Sequence, residues 1–211
     1  MKSKTLSKAQ KETVQKYSKL YPEYKKLSQE LRILIKSVLR KSGIEFFDVT
    51  GRPKKISSFQ NKMIRKKYKN PLFDIKDLCA IRIICNFPEE VKQVEAILQN
   101  NFKILDFSNQ EKNISPHKFW YRSHHFELQL NKKQITKNKY KLLKHFIAEV
   151  QVRTVFMDAW AIMEHKINYK HEWNTSHDTK RKLSRLSALL ELADEQLEEL
   201  AKNKNVEYKE I

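Results

Sequence analysis

Residues 148–170 read AEVQVRTVFMDAWAIMEHKINYK, and a change of period inside this stretch decides the fold. Glu149, Gln151 and Arg153 recur at every second position, so they share one face of a strand, with Val150 and Val152 on the other. From Thr154 the spacing becomes helical, through Phe156, Trp160 and Met163. Thr154 is placed to cap that helix. A polar strand face beside a helix start is a setting in which charged ligands bind. A carboxylate on a strand whose other face is apolar is costly unless it is used or paired. Pairing of Glu149 and Arg153 with neighbours on a sheet surface is the plainer alternative.

A second strand lies upstream. In FDIKDLCAIRIICNF, residues 73–87, the run from Cys79 to Phe87 is apolar except for Arg82, which must leave by a polar face or be paired. Asp77 stands just before the run. There an aspartate can ligand Mg²⁺ together with waters and phosphates, or form a structural pair with an arginine. Between residues 51 and 69, Ser57 and Ser58 can cap a helix starting near Phe59, on which Lys62 and Arg65 point the same way. Arg52 and Lys54 sit just before it. Four cations around a helix start suit a triphosphate, although a solvated lysine face has the same pattern.

The remaining chain fills in around these strands. Residues 6–41 carry an apolar stripe at helical spacing, and Ile44–Val49 reads as a short strand. A helix starts at Pro88, strands cover Phe102–Phe107 and Tyr121–Leu130, and 131–144 reads as a lysine-rich hairpin loop. Phe146–Arg153 is the next strand, the helix from Thr154 ends near Lys170, and a last helix runs from Asp178 to about Asn203. This order describes an α+β domain around a mixed sheet with helical termini. The expected division is a basic helical region over 1–43, a central domain over 44–173 and a C-terminal helix over 174–211.

Charge is unevenly placed. The 211-residue chain has a formal net charge of +18, and residues 1–70 hold 20 basic against 5 acidic side chains. Lys25, Lys26, Arg32, Lys36, Arg40 and Lys41 crowd one helical region. Such asymmetry suggests a polyanionic partner. No apolar run approaches a membrane span, and the first residues lack a signal peptide's apolar core. Cys79 and Cys85 read as buried thiols, so a reducing cytoplasm is the expected location, without membrane attachment.

Four segments in order, GRPKKISSFQNKMIRK, DLCAIRII, YRSHH and EVQVRTVFMDAWAIMEHKINYK, resemble the synthetase domain of the RelA/SpoT family over roughly residues 45–170. The resemblance implies a nucleotidyltransferase-like mixed β-sheet flanked by helices, here with helical extensions at both ends. It implies transfer of a pyrophosphate from ATP to a ribose 3′-hydroxyl by a single-domain, small alarmone synthetase. Carried over position by position, Asp77 and Glu149 bind Mg²⁺, and Glu149 activates the attacking hydroxyl. Arg52 and Arg82 sandwich the adenine of ATP; Lys54, Ser58, Lys62 and Arg65 contact its phosphates. Tyr121 stacks on the acceptor base, and His125, Gln151 and Asp158 lie on the acceptor side.

One departure bears on the acceptor. The family's GYRSLH pattern stands here as WYRSHH, so the glycine before Tyr121 is missing. Two acceptors fit the same donor chemistry: GDP or GTP, giving (p)ppGpp, or the 3′-CCA end of tRNA, as in the toxic branch of small alarmone synthetases. The charge over residues 1–70, with Lys25, Lys26, Arg32 and Lys36 as the RNA-facing cations, and the altered tyrosine motif favour tRNA, with salt-sensitive binding. That branch implies inhibition of aminoacylation and translation, and a neutralising antitoxin protein as partner. A non-catalytic RNA-binding module on the same fold is the alternative from another class.

Overall fold

The computed structural model describes residues 6–66, 68–109, 123–136, 138–170 and 176–207. Helix α1 (Lys8–Lys41) is followed by β1 (Asp48–Pro53), α2 (Ile56–Lys66), α3 (Pro71–Asp74), a 3₁₀ turn over Lys76–Leu78, and β2 (Cys79–Cys85). Then come α4 (Pro88–Asn101), β3 (Lys103–Asn109), β4 (His124–Gln129), α5 (Lys132–Ile135), a 3₁₀ segment over Asn138–Leu143, β5 (Ala148–Thr154), α6 (Val155–Lys170) and α7 (His177–Glu207).

The five strands form one mixed sheet in the order β1-β2-β5-β4-β3. β2 and β5 run parallel; the other neighbours are antiparallel. The expected α+β class with a mixed sheet holds. The alternation read from the sequence is what separates its two faces. Cys79, Ile81, Ile83 and Cys85 of β2 and Ala148, Val150 and Val152 of β5 are buried. Between them stand Ala80, Arg82, Glu149 and Gln151, with Ala80 opposite Glu149 and Arg82 opposite Gln151. Burial drives the thiols of Cys79 and Cys85 upward in pKa, so they are inert apolar packing.

α1 covers the apolar face. A full turn-by-turn stripe of Tyr17, Tyr24, Leu27, Leu31, Ile35 and Leu39 is buried in the core. Ser7 starts the helix with a reciprocal capping box to Gln10, and Gly43, at φ 72°, follows its end. Val91, Val94 and Leu98 of α4 enter the same core. α6 and α7 join through a smaller cluster around Trp160 and Leu183. Thr154 caps α6, accepting from Met157 N at 3.1 Å, and donates its hydroxyl to buried Asp194 of α7 at 2.6 Å.

Three boundaries differ from expectation. The first strand is not Ile44–Val49 but Asp48–Pro53, with exposed Phe47 just outside it. α2 begins at Ile56, so Ser57 and Ser58 lie inside it and do not cap it. Residues 131–144 hold a helical turn and a 3₁₀ segment where a hairpin loop was expected.

Gly51 allows α1 to approach the sheet. A Cβ there would stand 2.7 Å from Ile81 Cδ1 and 2.9 Å from the Ser28 carbonyl oxygen on α1. The second neighbour is backbone and cannot swing aside. Gly51→Ala is expected to lower stability by about 1–3 kcal/mol, read as a shifted urea midpoint at constant slope.

Candidate active site

Pairing of β1 with β2 ends at Pro53 opposite Cys79. The chain then leaves β1 toward the turn that precedes β2, and Lys54 N bonds the Leu78 carbonyl at 2.9 Å. This brings Lys54 onto Asp77. The carboxylate of Asp77 accepts from Lys54 Nζ on one oxygen and from Lys62 Nζ, 2.9 Å away on α2, on the other. Burial pushes the Asp77 pKa up, but the two ammonium groups outweigh it and hold the group below its usual value. Tyr17 supports this corner: its hydroxyl donates to the Lys54 carbonyl at 2.6 Å, and its ring stacks on Phe59 of α2 at 4.3 Å.

Asp77, Glu149, Arg52, Arg82 and Gln151 line one cavity of about 210 Å³ on the polar sheet face. Glu149 stands on β5, with Gln151 Nε2 donating to its Oε2 at 3.1 Å and His125 Nδ1 lying 3.4 Å from its Oε1. The register explains the grouping, since His125 pairs Gln151 and Thr50 pairs Arg82 across neighbouring strands. Arg82 Nε is buried without a hydrogen-bond partner. Two carboxylates are brought to one cavity beside a pair of lysines. Oxygen donors of this kind fit a Mg²⁺ that keeps waters and phosphates as its other ligands. Among the described residues no group of three or more His, Cys, Asp or Glu could hold a metal ion without such help.

The other named residues fall outside this cavity's lining. Ser58 is half-buried inside α2 and Arg65 is exposed on it. Tyr121 lies outside the described residues. Lys25, Lys26 and Arg32 are exposed on α1, and Lys36 is tied to Asp48 at 3.0 Å. Because α1 packs on the apolar side, these cations belong to the layer behind the sheet from Arg82 and Gln151.

Asp158, near the start of α6, meets Arg82 Nη1 at 3.0 Å and Arg153 Nη1 at 3.3 Å. Arg153 also donates from Nε to Ser123 Oγ at 2.9 Å. Burial, then the neighbouring Arg82 charge, lowers the Arg153 pKa, and Asp158 opposes both. Asp158 thus orients Arg82 at the cavity wall, where an acceptor-side position was expected of it. The plainer reading of Arg153, pairing with a neighbour, holds, although the partner lies on α6 and not on the sheet; its five-residue separation from Asp158 across the strand–helix junction was the available signal. Asp158→Ala is expected to cost about 3–5 kcal/mol, since it leaves Arg153 buried without its carboxylate. Chemical denaturation measures this directly. Glu127, opposite Glu149 on β4, was also passed over; it pairs with Lys76 at 3.1 Å, next to Asp77.

A five-stranded mixed sheet thus presents two carboxylates and a set of cations to one cavity, an arrangement suited to a phosphate-bearing ligand. The family signature described as "Region found in RelA / SpoT proteins" matches residues 51–174. The chain is 31% identical over 190 residues, 84% of each chain, to the GTP pyrophosphokinase YjbM of Bacillus subtilis (strain 168). The fold superposes on the crystal structure of small alarmone synthetase 1 from Bacillus subtilis with a TM-score of 0.73, at 25% identity, covering 90% of this chain and 98% of that one. The form of that synthetase bound to its product pppGpp matches with a TM-score of 0.73 at 26% identity, over 90% and 98% of the two chains. The chain belongs to the RelA/SpoT family and is a small alarmone synthetase-type diphosphotransferase. That sets aside the reading as a non-catalytic RNA-binding module. No helix among the described residues is long and apolar enough to cross a membrane.

Proposed function

We propose that this enzyme moves the β,γ-diphosphate of ATP to the ribose 3′-hydroxyl of GDP or GTP. The observation that carries the reading is the meeting of Asp77, Glu149, Arg52 and Arg82 around one cavity. The adenine lies between the guanidinium groups of Arg52 and Arg82, the latter oriented by Asp158. Lys54 and Lys62, which neutralise Asp77 in the free protein, turn toward the incoming phosphates. Glu149 takes the proton as the 3′-oxygen attacks the β-phosphorus, and Gln151 keeps its carboxylate aligned. The new bond is 3′-O–Pβ, the bond broken is Pβ–O to the α-phosphate, and AMP leaves. Mg²⁺ held by Asp77 and Glu149 supplies charge compensation on the diphosphate when bound. The rest is positioning.

A guanine nucleotide is favoured as acceptor by the pppGpp-bound relative and by the relative named a GTP pyrophosphokinase. The placement of α1 agrees, because its cations stand behind the sheet. The tRNA 3′-CCA end is the second reading, with a toxic role and an antitoxin partner. It is supported by exposed Lys25, Lys26 and Arg32 and by the WYRSHH departure beside Tyr121.

The test offers β-labelled ATP with GDP, GTP and deacylated tRNA side by side. Label in the guanine nucleotides supports the first reading; label in tRNA alone replaces it with the second. Reversing charge at Lys25 and Lys26 sharpens the contrast. Nucleotide modification is expected to stay within about twofold of wild type, whereas an RNA acceptor would bind less tightly and with a shallower salt dependence.

A further inference from the structure

The 3₁₀ turn before β2 is held from two sides. Lys76 and Asp77 are neighbours in it. Asp77 is held by Lys54, on the chain leaving β1, and by Lys62 on α2. Lys76 reaches the other way, and its Nζ lies 3.1 Å from Glu127 Oε2 on β4. In the sheet, β5 stands between β2 and β4. Neighbouring strands are about 4.8 Å apart, so the two side chains together bridge about 10 Å over β5.

Glu127 stands where an acid is costly. It lies between buried Phe126 and Leu128, so it is on the polar face, directly opposite Glu149 across β4 and β5. Asp106 of β3 is its register partner on the other side. Like charges set opposite one another destabilise a strand pair. Lys76 offsets this at the middle carboxylate of the row. Its ammonium is also 5.0 Å from the centroid of the Phe73 ring on α3. The Glu127 side chain is only 20% exposed, against 65% for Asp178 in its surface pair with Lys182.

We propose that Lys76 and Glu127 form a bracket that sets Asp77 against Glu149 for the transfer step. It joins the turn carrying one carboxylate to the strand beside the other. When Lys54 and Lys62 turn toward phosphates, Asp77 loses its ties on that side, and the bracket keeps the turn in place from β4. Both are positioning residues, since neither lines the cavity. The inference rests on the diphosphate-transfer reading of that cavity.

Lys76→Met, Glu127→Gln, the double variant and Lys76→Arg test it, assayed for AMP formation from ATP and GDP. Each of the first two should lower kcat by about 10-fold, through misplacement of the carboxylate. The KM for ATP should stay within about twofold, because the ATP contacts are intact. The double variant should fall no further than either single one, because the same bracket is broken once. Lys76→Arg keeps charge and reach and should restore kcat. Urea midpoints should hardly move, as a partly exposed ion pair adds little stability. The Lys54 amide, bonded to the Leu78 carbonyl at the end of the same turn, should exchange faster with deuterium in both single variants without any nucleotide.

An unchanged or higher kcat in Glu127→Gln beside a loss in Lys76→Met would overturn the proposal and make Lys76 a direct phosphate contact. A far larger loss in Glu127→Gln than in Lys76→Met would overturn it by placing Glu127 in the chemistry. Multiplied losses in the double variant would overturn it as well. If the wild type forms no AMP, the transfer reading fails instead; faster Lys54 exchange in the variants then still supports the bracket, and unchanged exchange overturns it.

Discussion

Replacing Glu149 by Gln lowers kcat by about 100-fold or more while the protein stays folded. The substitution keeps shape and volume. The side-chain oxygen can still accept from Gln151 Nε2, now 3.1 Å from Oε2, so β5 and the polar face keep their arrangement. What disappears is the ability to take a proton from the 3′-hydroxyl and the negative charge beside Asp77. The KM for ATP should move little, since Arg52, Arg82, Lys54 and Lys62 are untouched. Single-turnover kinetics at saturating substrates isolates the step. A kcat within about fivefold of wild type would remove Glu149 from the chemistry and leave it a partner of Gln151 and His125.

Asp77→Asn has an effect of similar size on rate, about 100- to 1,000-fold, and a second signature in stability. The variant leaves Lys54 and Lys62 facing a neutral amide. In the wild type the two ammonium groups hold the folded Asp77 pKa below the 3.8 of an aspartate in the unfolded chain. Its ionised form therefore stabilises the fold fully above that value, and the contribution fades as pH falls through the folded pKa. The stability gap between wild type and Asp77→Asn should be level from pH 8 to 5 and shrink as pH falls below 3.8. Thermal unfolding of both proteins across that range checks it; a gap that instead widens in acid would mean that the two lysines do not hold the carboxylate.

The centre of the fold was legible because burial imposes a period. β5 and α6 announce themselves at Thr154, where spacing changes from two to helical and the capping hydroxyl stands in place. β2 was equally plain, and so was Asp77 at its entrance. The first strand was not. IEFFDV has the composition of a strand, yet DVTGRP forms it, because pairing with β2 and the close approach of α1 at Gly51 outweigh local preference. Pro53 is tolerated there at the end of an edge strand. The short helix at Lys132–Ile135 did carry a signal, the Asn131–Gln134 capping box, hidden by the density of lysines around it.

In the site, the family resemblance implied that the two carboxylates meet the cations expected to hold ATP, and Asp77, Glu149, Arg52 and Arg82 line one cavity. It could not show that Asp158 turns toward Arg82 and Arg153, since that contact depends on how α6 leaves β5. Nor could it show on which side of the sheet the basic helix lies. Charge along a chain has no direction until the apolar stripe of α1 chooses its face.

The nature of the nucleotide by-product is the most direct measurement. With ATP and GDP, diphosphate transfer at this cavity yields AMP in equal amount with a guanine nucleotide carrying label from the β-phosphorus, and Glu149→Gln yields neither. Formation of ADP in place of AMP, or AMP release that continues unchanged in Glu149→Gln, would contradict it.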